Sequence, residues 1–146
     1  MCGIIGYTNN VSNNQSVIEN MLQKISHRGP DDQGYYQDSK ITLGMRRLSI
    51  IDLDSGNQPL FNEDKSLILV FNGEIYNYQV LRAKLISLGH TFTTNSDSEV
   101  IIHGYEEYGN DIVNHLRGMF AFAIYNIHTK ALFIARDIFG IKQLFY

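Results

Sequence analysis

The sequence predicts an α+β fold in which helices are layered against antiparallel sheets. The first observation is that strand-like and helix-like segments are mixed along the chain, without a regular strand–helix alternation. The second is that the last two strand-like segments flank the short polar turn NIHTK, which is typical of an antiparallel hairpin. The third is a length of 146 residues with no linker-like stretch, which predicts one domain over residues 1–146.

Short apolar runs rich in branched and aromatic residues predict the strands. The first run lies between glycines, and the most apolar one lies near the middle of the chain. Between the first predicted helix and the second strand, RGPDDQG has the Gly, Pro and Asp residues of a turn. The predicted strands are GIIGY, YYQD, ITLGMRRLSIID, SLILVFNG, MFAFAIYN and ALFIARD.

Apolar residues at helical spacing predict two longer helices, NNQSVIENMLQKISHRG and NYQVLRAKLISLG. Gly89 is a natural stop for the second of them. A third helix is predicted over SDSEVIIHGYEEYG, capped by Ser96 or Asp97 and closed near Gly109, and a short fourth over NDIVNHLRG. The apolar stripes are Val17, Ile18, Met21, Leu22 and Ile25 in the first helix and Val80, Leu81, Leu85 and Leu88 in the second.

Composition narrows the class of protein. A net charge of -3 and a pI near 5.9, with no basic run, argue against nucleic acid or an anionic membrane as a partner. A single cysteine makes no internal disulfide, so the chain needs no oxidising compartment. The N-terminus lacks the pattern of a signal peptide, and we therefore expect a cytoplasmic protein.

Cys2, the only cysteine, has two interpretations. It is either a small buried apolar residue or a nucleophile. Met1 is removed efficiently when the next residue is small, and its loss would give Cys2 both a thiol and a free α-amine. That amine has a reference pKa near ~7.7–8.0, so it could accept the thiol proton near neutral pH. Such a nucleophile carries its own general base.

Three further motifs supply groups that suit an amide substrate, although each also has a simple structural interpretation. FNGEIYN is either a turn at a strand end or an oxyanion site, with Asn72 and the Gly73 amide as donors and Glu74 as a nearby anion. RRLSIID carries either two solvated arginines or one that binds a carboxylate. TNSDSEV is either a helix cap or the source of a second anion, Asp97, for an ammonium group.

The histidines give no indication of a metal centre. They lie at positions 27, 90, 103, 115 and 128, and their spacing matches no metal-ligand pattern. His103 lies on a predicted helix without a second histidine four residues later. We therefore predict no metal site and no phosphate-binding loop.

Eight motifs in order carry a resemblance that spans the whole chain: MCGIIGY, HRGPDDQG, RRLSIID, GNQPLFNED, FNGEIYN, TNSDSEVI, LRGMFAFAIYN and ARDIFGIKQLFY. With them the chain resembles the N-terminal glutaminase domain of glutamine-hydrolysing asparagine synthetases. That domain is a class II glutamine amidotransferase of the N-terminal-nucleophile hydrolase superfamily. The resemblance implies a four-layer αββα sandwich of two antiparallel sheets. The chain departs from the family pattern at Gln143, where proline is usual, and this position lies outside the glutamine pocket.

The resemblance also implies a role for each motif residue. Cys2, freed of Met1, would attack the glutamine side-chain amide, and Asn72 with the Gly73 amide would form the oxyanion hole. Arg47 would bind the glutamine α-carboxylate. Glu74 and Asp97 would hold its α-ammonium group. The segment that would line the pocket is Arg47, Leu48, Ser49, Ile50 and Ile51.

The implied partners are L-glutamine and an ATP-pyrophosphatase synthetase domain or subunit that uses the released ammonia to convert aspartate to asparagine. Glutamine hydrolysis would need no cofactor, and ATP and Mg would belong to the synthetase domain, which this sequence does not contain. The family normally continues beyond Tyr146, so we expect a domain truncated at its C-terminal end. The oligomeric state stays open, with a homodimer as one option. Two alternatives remain: a glutamine-binding module without turnover, and a hydrolase of another amide.

Overall fold

The computed structural model describes residues 2–8, 14–48 and 57–146. They form seven strands: β1 (Gly3–Thr8), β2 (Asp32–Gln37), β3 (Ile41–Arg47), β4 (Leu60–Phe61), β5 (Leu67–Ile75), β6 (Gly118–Asn126) and β7 (Leu132–Arg136). The α-helices are α1 (Asn14–Lys24), α2 (Tyr78–Ser87), α3 (Glu99–Tyr108) and α4 (Ile112–His115). Single 3₁₀ turns lie at Ser26–Arg28 and Gly109–Asp111.

The strands form two antiparallel sheets. The first has the order β1-β3-β2, and the second has the order β4-β5-β6-β7. The predicted hairpin is β6–β7, in which Tyr125 pairs with Leu132. The central pair of the second sheet, β5 and β6, is in register over nine residues, from Leu67 opposite Asn126 to Ile75 opposite Gly118. This is the longest strand pairing among the described residues.

The two sheets pack face to face through a shared apolar layer. Alternate residues of β3 meet alternate residues of β5 and β6, because successive side chains of a strand point to opposite faces. Cys2 and Ile4 pack at the border of this layer. Its buried members are Ile41, Leu43, Met45, Ile68, Val70, Ala123 and Tyr125.

Helices cover both outer faces. On the first sheet, Ile18 and Leu22 of α1 lie over Gly44 of β3, where a Cβ atom would come within 2.8 Å of Ile18. On the second sheet, the opposite faces of β5 and β6 form a larger core with α2, α3 and α4. The order of layers is therefore helix, sheet, sheet, helix, which confirms the predicted αββα sandwich with two antiparallel sheets.

Several details differ from the sequence predictions. The turn predicted over RGPDDQG ends earlier than expected, because Asp32–Gln37 is already strand β2. In α2 only Leu81 and Leu85 are buried, whereas Val80 and Leu88 are 74% and 50% exposed. The predicted stripe is wrong at those two positions because only the side of the helix with Leu81 and Leu85 packs into the core, and Leu88 lies beyond the helix end.

The start of α3 also differs. The helix begins at Glu99, and neither Ser96 nor Asp97 caps it; Ser98 occupies that position without a side-chain cap bond. Gly89 does end α2, with φ at 107°. Among the described residues, no helix is both long enough and apolar enough to cross a bilayer.

Candidate active site

One cavity of about 360 Å³ opens between the two sheets, which is within the usual size of a small-molecule site. Every predicted site residue that the structure describes lies on its wall. The first sheet contributes the N-terminal thiol and the end of β3, and the second contributes the end of β5. The residues that line it are Cys2, Arg47, Leu48, Gln58, Phe71, Asn72, Gly73, Glu74, Ser96, Asp97, Ser98, Met119, Ile141 and Lys142.

The position of Cys2 is fixed by the pairing of β1 with β3. Gly3 pairs with Arg46, so the chain enters the sheet directly after the thiol. The Leu48 amide nitrogen lies 3.4 Å from Sγ, and the thiol lies 3.6 Å from the Leu48 carbonyl oxygen. Arg28 Nε donates to the Cys2 carbonyl oxygen at 3.1 Å. These contacts hold a residue that would otherwise fray at the chain end.

The amides at the end of β5 alternate in direction, as in any antiparallel strand. The Tyr76 amide donates to Arg117 O at 2.7 Å, on the side of β5 that pairs with β6. The amides of the odd-numbered residues before it therefore face the other edge of β5, away from β6. Phe71 N donates to Gln58 Oε1 and Ile75 N donates to Asp97 Oδ2, both at 2.7 Å. The Gly73 amide lies between these two on the same edge, and Gly73 lines the cavity.

The local structure of the NGE segment differs from the turn that the sequence predicted. Asn72, Gly73 and Glu74 lie inside strand β5, which continues to Ile75. The glycine is required by the neighbouring strand, because a Cβ atom at Gly73 would lie 2.1 Å from Met119 O. Asn72 has the same strand parity as Ile68 and Val70, which face the first sheet, so its side chain lies on the side of Cys2.

Asp97 and Glu74 place two carboxyl groups in one cavity. Burial raises the pKa of Asp97, and the charge of Glu74 raises it further, while the hydrogen bond from the Ile75 amide opposes the rise. Like charges in a partly desolvated site repel each other unless a cation lies between them. The arrangement therefore favours a positively charged ligand group.

Arg47 supplies a cation on the wall of the same cavity. Its side chain is buried, and Nη1 donates to Asn57 Oδ1 at 2.8 Å. Arg46 points elsewhere, since its Nε donates to Leu22 O of α1 at 3.1 Å. Strand alternation separates the two arginines, and only Arg47 lines the cavity.

Three predicted pocket residues, Ser49, Ile50 and Ile51, lie outside the described residues. Other wall residues were not predicted as site residues from the sequence. Gln58 belongs to the GNQPL motif, and Ser96 and Ser98 flank Asp97, so the motifs contained a signal for them. Lys142 is buried on the wall although it lies in an apolar run, IKQLFY, where nothing in the pattern indicated a site.

The comparison with protein families agrees with this geometry. The chain belongs to the glutamine amidotransferase domain family, which matches residues 1–146. Members of this family are enzymatic domains, and the fold is the α+β sandwich of N-terminal-nucleophile hydrolases.

Within that family, the chain matches the N-terminal glutaminase domain of asparagine synthetases. It is 47% identical to asparagine synthetase [glutamine-hydrolyzing] 1 of Bacillus subtilis (strain 168), over 100% of this chain and 24% of that protein. It is 45% identical to asparagine synthetase [glutamine-hydrolyzing] 2 of Arabidopsis thaliana, over 99% of this chain and 25% of that protein. The chain thus spans about a quarter of the length of these relatives.

A solved structure shows the same fold. The glutamine phosphoribosylpyrophosphate amidotransferase of B. subtilis superposes with a TM-score of 0.71 at 22% identity, over 93% of this chain and 36% of that one. At this identity the likeness concerns the fold alone.

Proposed function

We propose that this chain hydrolyses glutamine to glutamate and ammonia, with Cys2 as the nucleophile. The observation that carries the proposal is the convergence of Cys2, Arg47, Asn72, Gly73 and Asp97 on one cavity. The combination of a thiol, a cation, two carboxyl groups and amide donors on one wall suits a free amino acid with a side-chain amide. Glutamine hydrolysis in this proposal needs no cofactor.

Substrate binding uses the two charged ends of the cavity. The guanidinium of Arg47 binds the α-carboxylate, for which its planar fork is well shaped. Glu74 and Asp97 bind the α-ammonium group and relieve the repulsion between their own charges. A substrate held at these two ends extends its side-chain amide toward Cys2.

The reaction begins when removal of Met1 exposes the α-amine of Cys2. The amine accepts the thiol proton, and the Leu48 amide, 3.4 Å from Sγ, stabilises the thiolate. Sγ then adds to the amide carbon, and the carbonyl oxygen becomes an oxyanion bound by the Asn72 side chain and the Gly73 amide. Collapse of this intermediate breaks the C–N bond, and the α-ammonium proton leaves with the nitrogen as ammonia.

Hydrolysis of the remaining thioester completes the cycle. The α-amine, again neutral, accepts a proton from water as the water oxygen adds to the thioester carbon. The same two donors bind the second oxyanion, and its collapse releases glutamate and the Cys2 thiolate, which regains a proton. Microscopic reversibility assigns the same amine to both steps.

We further propose that the ammonia serves an ATP-dependent synthetase domain or subunit that amidates aspartate, and that ATP and Mg bind there. The support is the likeness to glutamine-hydrolysing asparagine synthetases over about a quarter of their length. We also propose that the protein is cytoplasmic and forms a homodimer.

The test measures ammonia and glutamate release from glutamine and from α-N-acetylglutamine, with the intact mass of the same sample. We expect equal amounts of the two products from glutamine, little turnover of the acetylated analogue and a mass that lacks Met1. Equal turnover of both amides would show that Glu74 and Asp97 do not select a free amino acid. Glutamine binding without ammonia release, in a sample that lacks Met1, would indicate a binding module.

A further inference from the structure

Two histidines and two glutamates converge outside the catalytic cavity. Glu63 follows β4, His90 follows α2, and His103 and Glu106 lie one turn apart on α3. One ligand atom from each of the four residues lies within 4.8 Å of the others. Chain segments far apart in sequence therefore bring imidazole and carboxylate groups to one point on the outer helical layer.

The distances within this cluster fit a tetrahedral ion. His90 Nδ1 lies 3.3 Å from Glu63 Oε1 and 3.5 Å from Glu106 Oε2. His103 Nδ1 lies 3.3 Å from Glu63 Oε2 and 3.0 Å from Glu106 Oε2. Around tetrahedral zinc, with bonds of about 2.0–2.1 Å, neighbouring ligand atoms are roughly 3.3–3.4 Å apart. Each imidazole thus lies 3.0–3.5 Å from both carboxylates, near the separation of zinc ligands, through one oxygen of Glu106 and through a different oxygen of Glu63 for each histidine.

The second ring nitrogen of each histidine also lies near a carboxylate. His90 Nε2 lies 2.9 Å from Glu107 Oε1, and His103 Nε2 lies 3.5 Å from Glu99 Oε1. Metal-binding histidines commonly present their second nitrogen to a carboxylate, which fixes the tautomer that leaves the other nitrogen free to bind. His90 has this arrangement, whereas His103 Nε2 is buried and has no hydrogen-bond partner among the described residues, with Glu99 Oε1 as its nearby carboxylate. In each histidine Nδ1 is turned inward.

The ligand carboxylates are themselves held in place. Asn62 Nδ2 donates to Glu106 Oε1 at 2.8 Å, on the oxygen that does not face the histidines. The Thr91 amide donates to Glu63 Oε1 at 3.0 Å. Such bonds orient a carboxylate before an ion arrives.

Charge and access favour a divalent cation. Four carboxylates, from Glu63, Glu99, Glu106 and Glu107, surround two imidazoles, so the cluster is anionic in either protonation state of the histidines. His103 is almost fully buried, whereas the Glu63 side chain is 38% exposed. Glu63 and His103 also border a second cavity of about 310 Å³, which gives an ion a route from solvent.

We propose that Glu63, His90, His103 and Glu106 form a zinc site that joins the β4–β5 segment, the α2–α3 link and helix α3. All four tetrahedral positions come from the protein, which is typical of structural rather than catalytic zinc. The ion would stabilise the outer layer behind the loop that carries Asp97. The site is independent of glutamine hydrolysis.

The experiment titrates zinc chloride into the chelator-treated full chain by calorimetry and records the thermal midpoint with and without zinc. We expect one zinc per chain and a higher thermal midpoint. Glu106→Gln and His90→Asn each remove one ligand and should weaken binding by more than ~100-fold, because even outer contacts contribute ~10–100-fold. Glu107→Gln removes only an outer contact and should weaken it within that smaller range.

Two controls make the result specific. Cys2→Ala excludes the N-terminal thiol as the zinc ligand, and His128→Gln alters an exposed histidine outside the cluster; both should bind zinc as the wild type does. X-ray absorption should report two imidazole and two oxygen ligands. No uptake by the wild-type chain would overturn the proposal and leave a cluster of ion pairs, and so would zinc binding that survives both ligand substitutions with native circular dichroism.

Discussion

The Cys2 sulfur lies 3.4 Å from the amide nitrogen of Leu48 and 3.6 Å from its carbonyl oxygen. A thiol can donate to the carbonyl, whereas a thiolate can accept from the amide. One residue at the end of β3 therefore meets the sulfur in both of its protonation states. The contact joins Cys2 to the candidate cavity and holds the proposed nucleophile on its wall.

Cys2→Ala should abolish ammonia release and retain glutamine binding. The reason is that the charged groups proposed to bind glutamine, Arg47, Glu74 and Asp97, stay in place when Sγ is removed. Ammonia release measures the chemistry, and calorimetry with glutamine measures binding. Substantial ammonia release by the alanine variant would refute the assignment of the nucleophile.

Arg47→Lys should weaken apparent glutamine affinity by about tenfold or more. A planar guanidinium holds both carboxylate oxygens, whereas an ammonium is a single point charge, and charge-assisted hydrogen bonds contribute ~1.5–3 kcal/mol. The matched control is Arg46→Lys, because Arg46 donates to Leu22 O and not into the cavity. We expect that control to affect the thermal midpoint more than KM. Equal effects on KM at both positions would place the carboxylate elsewhere.

Asn72→Ala should lower kcat by ~10²–10³ with a much smaller change in KM. In the proposed mechanism the side-chain amide of Asn72 meets negative charge only in the tetrahedral intermediate, and removal of one such donor typically has this effect. Glu74→Gln should mainly raise KM, because the substrate ammonium is charged in both the ground state and the transition state. Steady-state kinetics of the two variants measure the difference. A change confined to KM in Asn72→Ala would contradict the proposed oxyanion role.

Asp38 should make stability depend on pH in the acid range. Burial opposes its ionised form, but hydrogen bonds from the amides of Lys40 and Ile41, from the Tyr125 hydroxyl and from Lys130 outweigh burial and lower the pKa to about 2 from its ordinary 3.8. A lowered pKa stabilises the fold above about pH 4, and this contribution is lost as the pH falls toward 2. The side chain is 16% exposed, and the shift corresponds to about 2 kcal/mol.

Urea unfolding of the wild type and Asp38→Asn at pH 7 and at pH 2–3 tests this. We expect the variant to be less stable at pH 7 and the difference to shrink at low pH. Glu19→Gln is the control, because Glu19 is exposed on α1 and its carboxylate accepts from the exposed Gln15 side chain at 3.1 Å. A difference between wild type and Asp38→Asn that stays constant with pH would show that Asp38 acts only through packing.

Much of the fold was predictable because its signals are local. The β1 run GIIGY, the β6–β7 hairpin and the stop at Gly89 each follow from neighbouring residues, and the structure confirms them. The four-layer order followed from the family resemblance. The exposure of Val80 could not be predicted, because helical spacing does not say how wide the contact with the sheet is.

The candidate site was also predictable only in part. The motif residues were identifiable by type, but their meeting depends on pairing between strands distant in sequence, such as β1 with β3. The Asn-Gly pair predicted a turn because this dipeptide favours turns. Nothing in the sequence indicated that the approach of β6 requires a glycine at position 73. His90 and His103 are thirteen residues apart and match no ligand spacing, so only the structure brings them together.

Peptide mapping after reaction with a diazo-ketone analogue of glutamine tests the central claim most directly. The analogue resembles the substrate and alkylates the nucleophile that attacks the amide. The account predicts one adduct per chain, on the sulfur of a Cys2 that is the first residue of the mature chain, and protection by glutamine. An adduct on another residue, or a Cys2 that stays unlabelled in a chain that releases ammonia, would contradict it.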